Sequence, residues 1–168
     1  QDLSPVLQQE LEAAKIEHQQ GRLGEARSRY QCILKRVPQQ TSALHYLGVL
    51  EHMEGNSELG LSLVRRAYLL SPDDYDIRKN LSDLLTDLNH SEEAEPLCRS
   101  LVGERPTEAG NHSNHCIVLR KLGRHAEAMA AGRRAAALAP RSPAAWLGLA
   151  NALACAGELS HTADAYER

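Results

Sequence analysis

The sequence predicts an all-α protein, a right-handed α-solenoid of stacked 34-residue helical hairpins, and three observations predict it. Pro38, Pro72, Pro106 and Pro140 recur at steps of 34 residues (72 − 38, 106 − 72, 140 − 106). Gly21, Gly55, Asn89, Gly123 and Gly157 repeat in the same register, and so do the small residues Ala26, Gly60, Ala94 and Ala128. The composition favours helix: Ala, Leu, Glu, Gln and Arg dominate, Phe is absent, and no extended run of Val, Ile and Thr marks a strand. Self-similarity at this period means units that cannot bury their apolar faces alone and stack to build a common core.

With the frame set at Leu7, the units are 7–40, 41–74, 75–108, 109–142 and a partial fifth, 143–168, read as a single array. In each, a first helix runs to the Gly or Asn, the residue types that take a left-handed helix end most readily. A second helix follows and stops before the proline, which cannot continue it. Ser4-Pro5 opens the first unit with a cap and a first-turn proline. In the second, Leu44, Leu47 and Leu50, then Leu61 and Val64, fall at helical spacing. In the third, Ser91-Glu92-Glu93 starts the second helix with acid at its positive end, and Pro96 predicts local distortion inside it. Ser142-Pro143 opens the fifth as Ser4-Pro5 opens the first. Ala26, Ala94 and Ala128 let paired helices approach closely, and Tyr30 and Tyr166 then plug into a neighbouring layer.

Composition excludes several function classes. Lys+Arg 19 against Asp+Glu 22 gives a net charge of −3 over 168 residues, which is no polybasic nucleic-acid binder. No stretch approaches the roughly 18 uninterrupted apolar residues of a membrane span. Cys32, Cys98, Cys116 and Cys155 lie far apart with no C-x-x-C pair, the pattern of reduced thiols in a cytoplasm. The chain starts at Gln1 and stops at Arg168 inside the second helix of the fifth unit, so a longer parent protein is expected, with any catalytic domain outside these residues.

The 34-residue period, Leu47-Gly48, Trp146 with Leu149, Ala26 with Tyr30, Ala67, Ala135 and the proline ladder resemble the tetratricopeptide repeat over residues 7–168. Gln20-Gly21-Arg22-Leu23-Gly24-Glu25-Ala26 with Tyr30, Ile33-Leu34 and Ala43 to Leu50 further resembles the opening repeats of bacterial proteins related to O-linked N-acetylglucosamine transferase. The first likeness implies a protein- or peptide-binding scaffold whose first helices line a concave groove. The second implies an alternative, the substrate-recruiting arm of a glycosyltransferase. By family position the groove holds His18, His52, Asp76, Lys79, Asn80, Asp83, Asp87, Asn114, Arg120 and Lys121, with Lys15, His45, Tyr46 and Met53 beside them. Asn80 and Asn114 are one repeat apart, as are His18 and His52. The transferase relatives use groove asparagines to hold peptide backbone, and two rungs are a partial match. The family's carboxylate clamp is not matched, since Leu11 and Lys15 stand where its first Lys and Asn belong.

Other chemistry is sparse. There is no glycine-rich phosphate loop, no G-x-S-x-G and no H-E-x-x-H, so catalytic residues and cofactors are expected to be none. His112, His115 and Cys116 have metal-ligand character, and His112 and Cys116 share a helix face. They also occupy packing positions of the repeat, and packing without metal is the expectation. Charge is segregated: residues 41–108 hold thirteen acidic and six basic residues, net −7, while 109–142 hold one acidic and six basic, net +5. Such a bipolar surface orients a protein partner, while the flanking acid argues against nucleic acid. Trp146, Leu149 and Leu153 are expected to form an exposed apolar end suited to self-association.

Overall fold

A computed structural model describes residues 4–157 and Ala165. Among them are nine helices: α1 (Pro5–Gln19), α2 (Leu23–Arg36), α3 (Thr41–Met53), α4 (Ser57–Leu70), α5 (Tyr75–Asp87), α6 (Ser91–Glu104), α7 (Ala109–Lys121), α8 (His125–Leu138) and α9 (Pro143–Ala156). The described residues contain no strand. Helices α3, α5, α7 and α9 begin at residues 41, 75, 109 and 143, and α2, α4, α6 and α8 each stop two residues before a proline of the 34-residue ladder. The second helix of the fifth hairpin, with Tyr166, lies outside the described residues.

The glycine ladder has its predicted cause. Gly21, Gly55, Gly123 and Gly157 have φ between 73 and 91°, and Asn89, at 63°, is the one non-glycine residue with positive φ among the described residues. Each of the first four turns closes the same way. The N–H of the residue after the left-handed one returns to a carbonyl five residues back: Arg22 to Glu17, Asn56 to Glu51, His90 to Leu85, Arg124 to Leu119, all at 2.8–2.9 Å. At the other ends, Ser4 and Ser142 accept from the N–H of Leu7 and Ala145.

The chain forms two compact units, Gln1–Leu84 and Leu85–Arg168. In the first, α1 packs on α2, α2 on α3 and α3 on α4. The small-residue ladder sets the approach of α3 to α4. A Cβ on Gly48 would stand 2.6 Å from Val64 Cγ2, and one on Gly60 would stand 2.6 Å from the Gly48 carbonyl. Around this crossing Leu44, Leu47, Leu50, Leu61 and Val64 are buried. Tyr30 is fully buried and stacks on Tyr46 of the next hairpin, ring centroids 6.1 Å apart, so it does plug into the neighbouring layer.

In the second unit, α6 packs on α7, α7 on α8, and α9 on both α7 and α8. The helix α6 is unbroken through Pro96. The ring leaves the Glu92 carbonyl without its usual intrahelical N–H, and Glu92 is exposed. The apolar end is not open. Leu149 and Leu153 are 6% and 3% exposed, packed with Ala136, Ala150 and Ala165, and Trp146 lies against the same cluster. Among the described residues, Leu149 and Leu153 are thus covered by α8 and Ala165, while Trp146 is half-buried.

Candidate functional site

In the first unit the first-helix positions α1, α3 and α5 bring together the groups with binding chemistry. Tyr46 on α3 is half-buried. The Lys15 ammonium stands 5.6 Å from its ring centroid, within cation–π range. His18 meets both Tyr30 and Tyr46 edge-on at 6.2 and 6.4 Å, and His45 lies 4.8 Å from Tyr46. Asn80 on α5 reaches back to α3, its Nδ2 2.7 Å from His45 Nε2. Burial lowers the pKa of His18. It also lowers that of His45, against the upward pull of Asp74 and Asp76. Both imidazoles are therefore neutral at pH 7, and burial pushes the Tyr30 phenol up.

The remaining predicted residues of this unit are committed locally. Lys79 pairs with Asp83 at 2.7 Å, one turn on. The His52 ring faces Ser57 Oγ at 2.9 Å, whereas its repeat-mate His18 sits among aromatic rings. Asp76 is exposed, and its backbone N–H donates to Asp74 Oδ1, which caps α5. Asn80 is thus not an independent rung, because it belongs to a pair with His45.

In the second unit Asn114 and Arg120 on α7 are half-buried and Asp87 is exposed. Lys121 donates to the Thr86 carbonyl at 2.6 Å, which ties the end of α7 to the end of α5. His112 and Cys116 are structural. His112 Nε2 donates to the Pro106 carbonyl at 2.9 Å, and Trp146 Nε1 makes the equivalent bond to Pro140 at 2.9 Å one repeat on. His112 therefore replaces the tryptophan as N–H donor to the preceding turn. Cys116 is packed under Gly132 and Gly148, and burial pushes its thiol up to about 11. His115 lies 3.7 Å from Glu95, beyond hydrogen-bond range.

Sequence reading missed the buried carboxylates. Glu17 and Glu51 are 8% and 4% exposed, one repeat apart, where the later units carry Leu85 and Leu119. Arg29 donates to both Glu17 oxygens at 2.8 and 2.9 Å and to Glu10 at 2.6 Å. Glu51 takes Arg27 Nε at 2.9 Å and Asn56 Nδ2 at 2.8 Å. In the second unit Glu95, 6% exposed, takes Arg99 and Arg124. The 34-residue spacing of Glu17 and Glu51, with arginines in the helix between them, was the available signal.

No family model and no curated protein matches the sequence. Solved structures do match the fold. MamA 41-end from Desulfovibrio magneticus RS-1 superposes with a TM-score of 0.88 at 12% identity, covering 99% of this chain and 94% of that one. The MamA MSR-1 C2 structure gives 0.85 at 17% identity over 98% and 94%. The chain has a tetratricopeptide-type fold. The fold class is thereby the predicted one, an all-α solenoid of helical hairpins, and at this identity the likeness carries the fold and nothing further. None of the described helices is long and apolar enough to cross a membrane.

Proposed function

We propose that this protein is a binding scaffold without chemistry of its own. It holds a segment of a protein partner on the face formed by the first helices of its hairpins. The observation that carries the reading is the Lys15–Tyr46–His18–Asn80 surface of the first unit. A ring, a cation and an amide are held in place there by neighbours while remaining half-exposed. Fixed aromatic and amide groups of this kind order a ligand at little entropic cost. Within the second unit, Asn114 and Asp87 offer an amide and a carboxylate of their own. All four cysteines are thiols rather than disulfides, which supports a reducing compartment such as the cytoplasm. The alternative, a recruiting arm of a glycosyltransferase, uses the same face and is tested by a nucleotide-sugar-binding domain in the parent gene.

The test begins with a displayed random-peptide library selected against the protein, followed by calorimetry on the selected peptide. Tyr46→Ala should weaken it about tenfold, about 1.4 kcal/mol. Asn80→Ala with Asn114→Ala should cost roughly 1–3 kcal/mol, about 0.5–1.5 for each net hydrogen bond. Glu58→Ala, exposed on α4, should change nothing. Unaltered affinity in both groove variants sinks the reading.

A further inference from the structure

We propose that His45 sets which way the Asn80 amide faces, so that protonation of one buried imidazole reverses the hydrogen-bonding character that this surface presents. The inference rests on the reading of the first-helix face as a binding surface.

An amide nitrogen only donates. With Asn80 Nδ2 2.7 Å from His45 Nε2, that ring nitrogen must be bare, and the imidazole carries its proton on Nδ1. The amide oxygen then points away from the ring, as an acceptor for a partner's N–H. A proton arriving at Nε2 would set two N–H groups against each other. Rotating the amide by half a turn removes the conflict. Its oxygen then accepts a charge-assisted bond from the imidazolium, and its NH₂ faces outward as a donor for a partner's carbonyl.

The site is arranged so that this exchange occurs below the pH at which an ordinary imidazole titrates. His45 is 4% exposed, so burial holds it neutral at pH 7. The groups facing it from its neighbours are His18 on α1, which opposes a second positive charge, and Asp74 and Asp76 at the start of α5, which favour one. The Tyr46 ring from α3 fixes the imidazole plane beside the pair. Asn80 is half-buried, with one side of its amide toward His45.

Long-range proton–nitrogen NMR on the full chain tests this without a ligand. At pH 7.5, His45 should show a bare Nε2 and a protonated Nδ1. As pH falls, the Asn80 side-chain amide signals should shift with the same midpoint as the His45 ring. Asn80→Ala should lower that midpoint, because the imidazolium loses its acceptor, and Asn80→Asp should raise it. A proton on Nε2 at pH 7.5, or Asn80 signals following a different midpoint, or a His45 midpoint indifferent to both substitutions, would each overturn the proposal. Because no peptide takes part, failure here leaves the binding reading standing, and a peptide that ignores Tyr46→Ala leaves this titration unaltered.

Discussion

Single side chains in this protein are decided by what their polar atoms meet. Tyr30 is the clearest example: its ring is fully buried between His18 and Tyr46, yet its buried hydroxyl meets no hydrogen-bond partner among the described residues. A buried hydroxyl without a partner costs about 1–3 kcal/mol of desolvation. Tyr30→Phe should therefore leave the melting temperature unchanged or raise it, whereas Tyr30→Ala should cost about 3–5 kcal/mol through the cavity left behind. Thermal melts by circular dichroism separate the two, and a Phe variant as damaged as the Ala variant would show that the hydroxyl is satisfied. The buried glutamates are the opposite case. Glu17 and Glu51 sit where a leucine serves in later hairpins, and each is held by an arginine from α2, so their burial is compensated pair by pair.

At the scale of the helices, two glycines seven residues apart show different physics. Gly55 has φ of +91° and nothing within 4 Å of an added Cβ, so only the backbone objects to a side chain there. Gly48 lies inside α3 with ordinary φ, but its added Cβ would meet Val64 and the Gly60 carbonyl at 2.6 and 2.8 Å. Gly55→Ala should cost about 1–2 kcal/mol, the strain of a left-handed alanine. Gly48→Ala should cost about 1–3 kcal/mol by forcing α3 and α4 apart. Combining Gly48→Ala with Val64→Ala should recover part of the loss in the second case. Denaturant unfolding checks it, and a Gly48→Ala protein as stable as the parent would contradict the close crossing.

Over the whole molecule the histidines set the acid limit. Burial is the leading cause that lowers the pKa of His18, His45 and His115. A folded pKa below the unfolded value means that protons favour the unfolded chain. Stability is then full above the unfolded pKa of about 6.5 and falls as pH drops from there toward the folded values. Each group contributes a slope of at most about 1.4 kcal/mol per pH unit. Melts at pH 7.5, 6.5 and 5.5 should show little change over the first step and a clear fall over the second. A melting temperature flat to pH 5.5 would show the three rings to be hydrated.

The sequence by itself determined the helical hairpin, its period and its boundaries, because each depends on one residue type at one place. A left-handed turn wants Gly or Asn, a close crossing wants a small residue, and a helix stops before proline. Those requirements repeat every 34 residues and can be read without any contact. The sequence also placed Tyr30 in the next layer and His112 among packing residues. Only the tertiary structure decided partners. Asn80 meets His45 across two helices, 35 residues away, and Arg27 meets Glu51 across 24. Lys121 is spent on the Thr86 carbonyl, and Leu149 and Leu153 are covered by α8 and Ala165. Repeat position fixes the helix face from which a side chain starts. Which atom it reaches depends on the angle and distance of the neighbouring helix, set by all the packed side chains together.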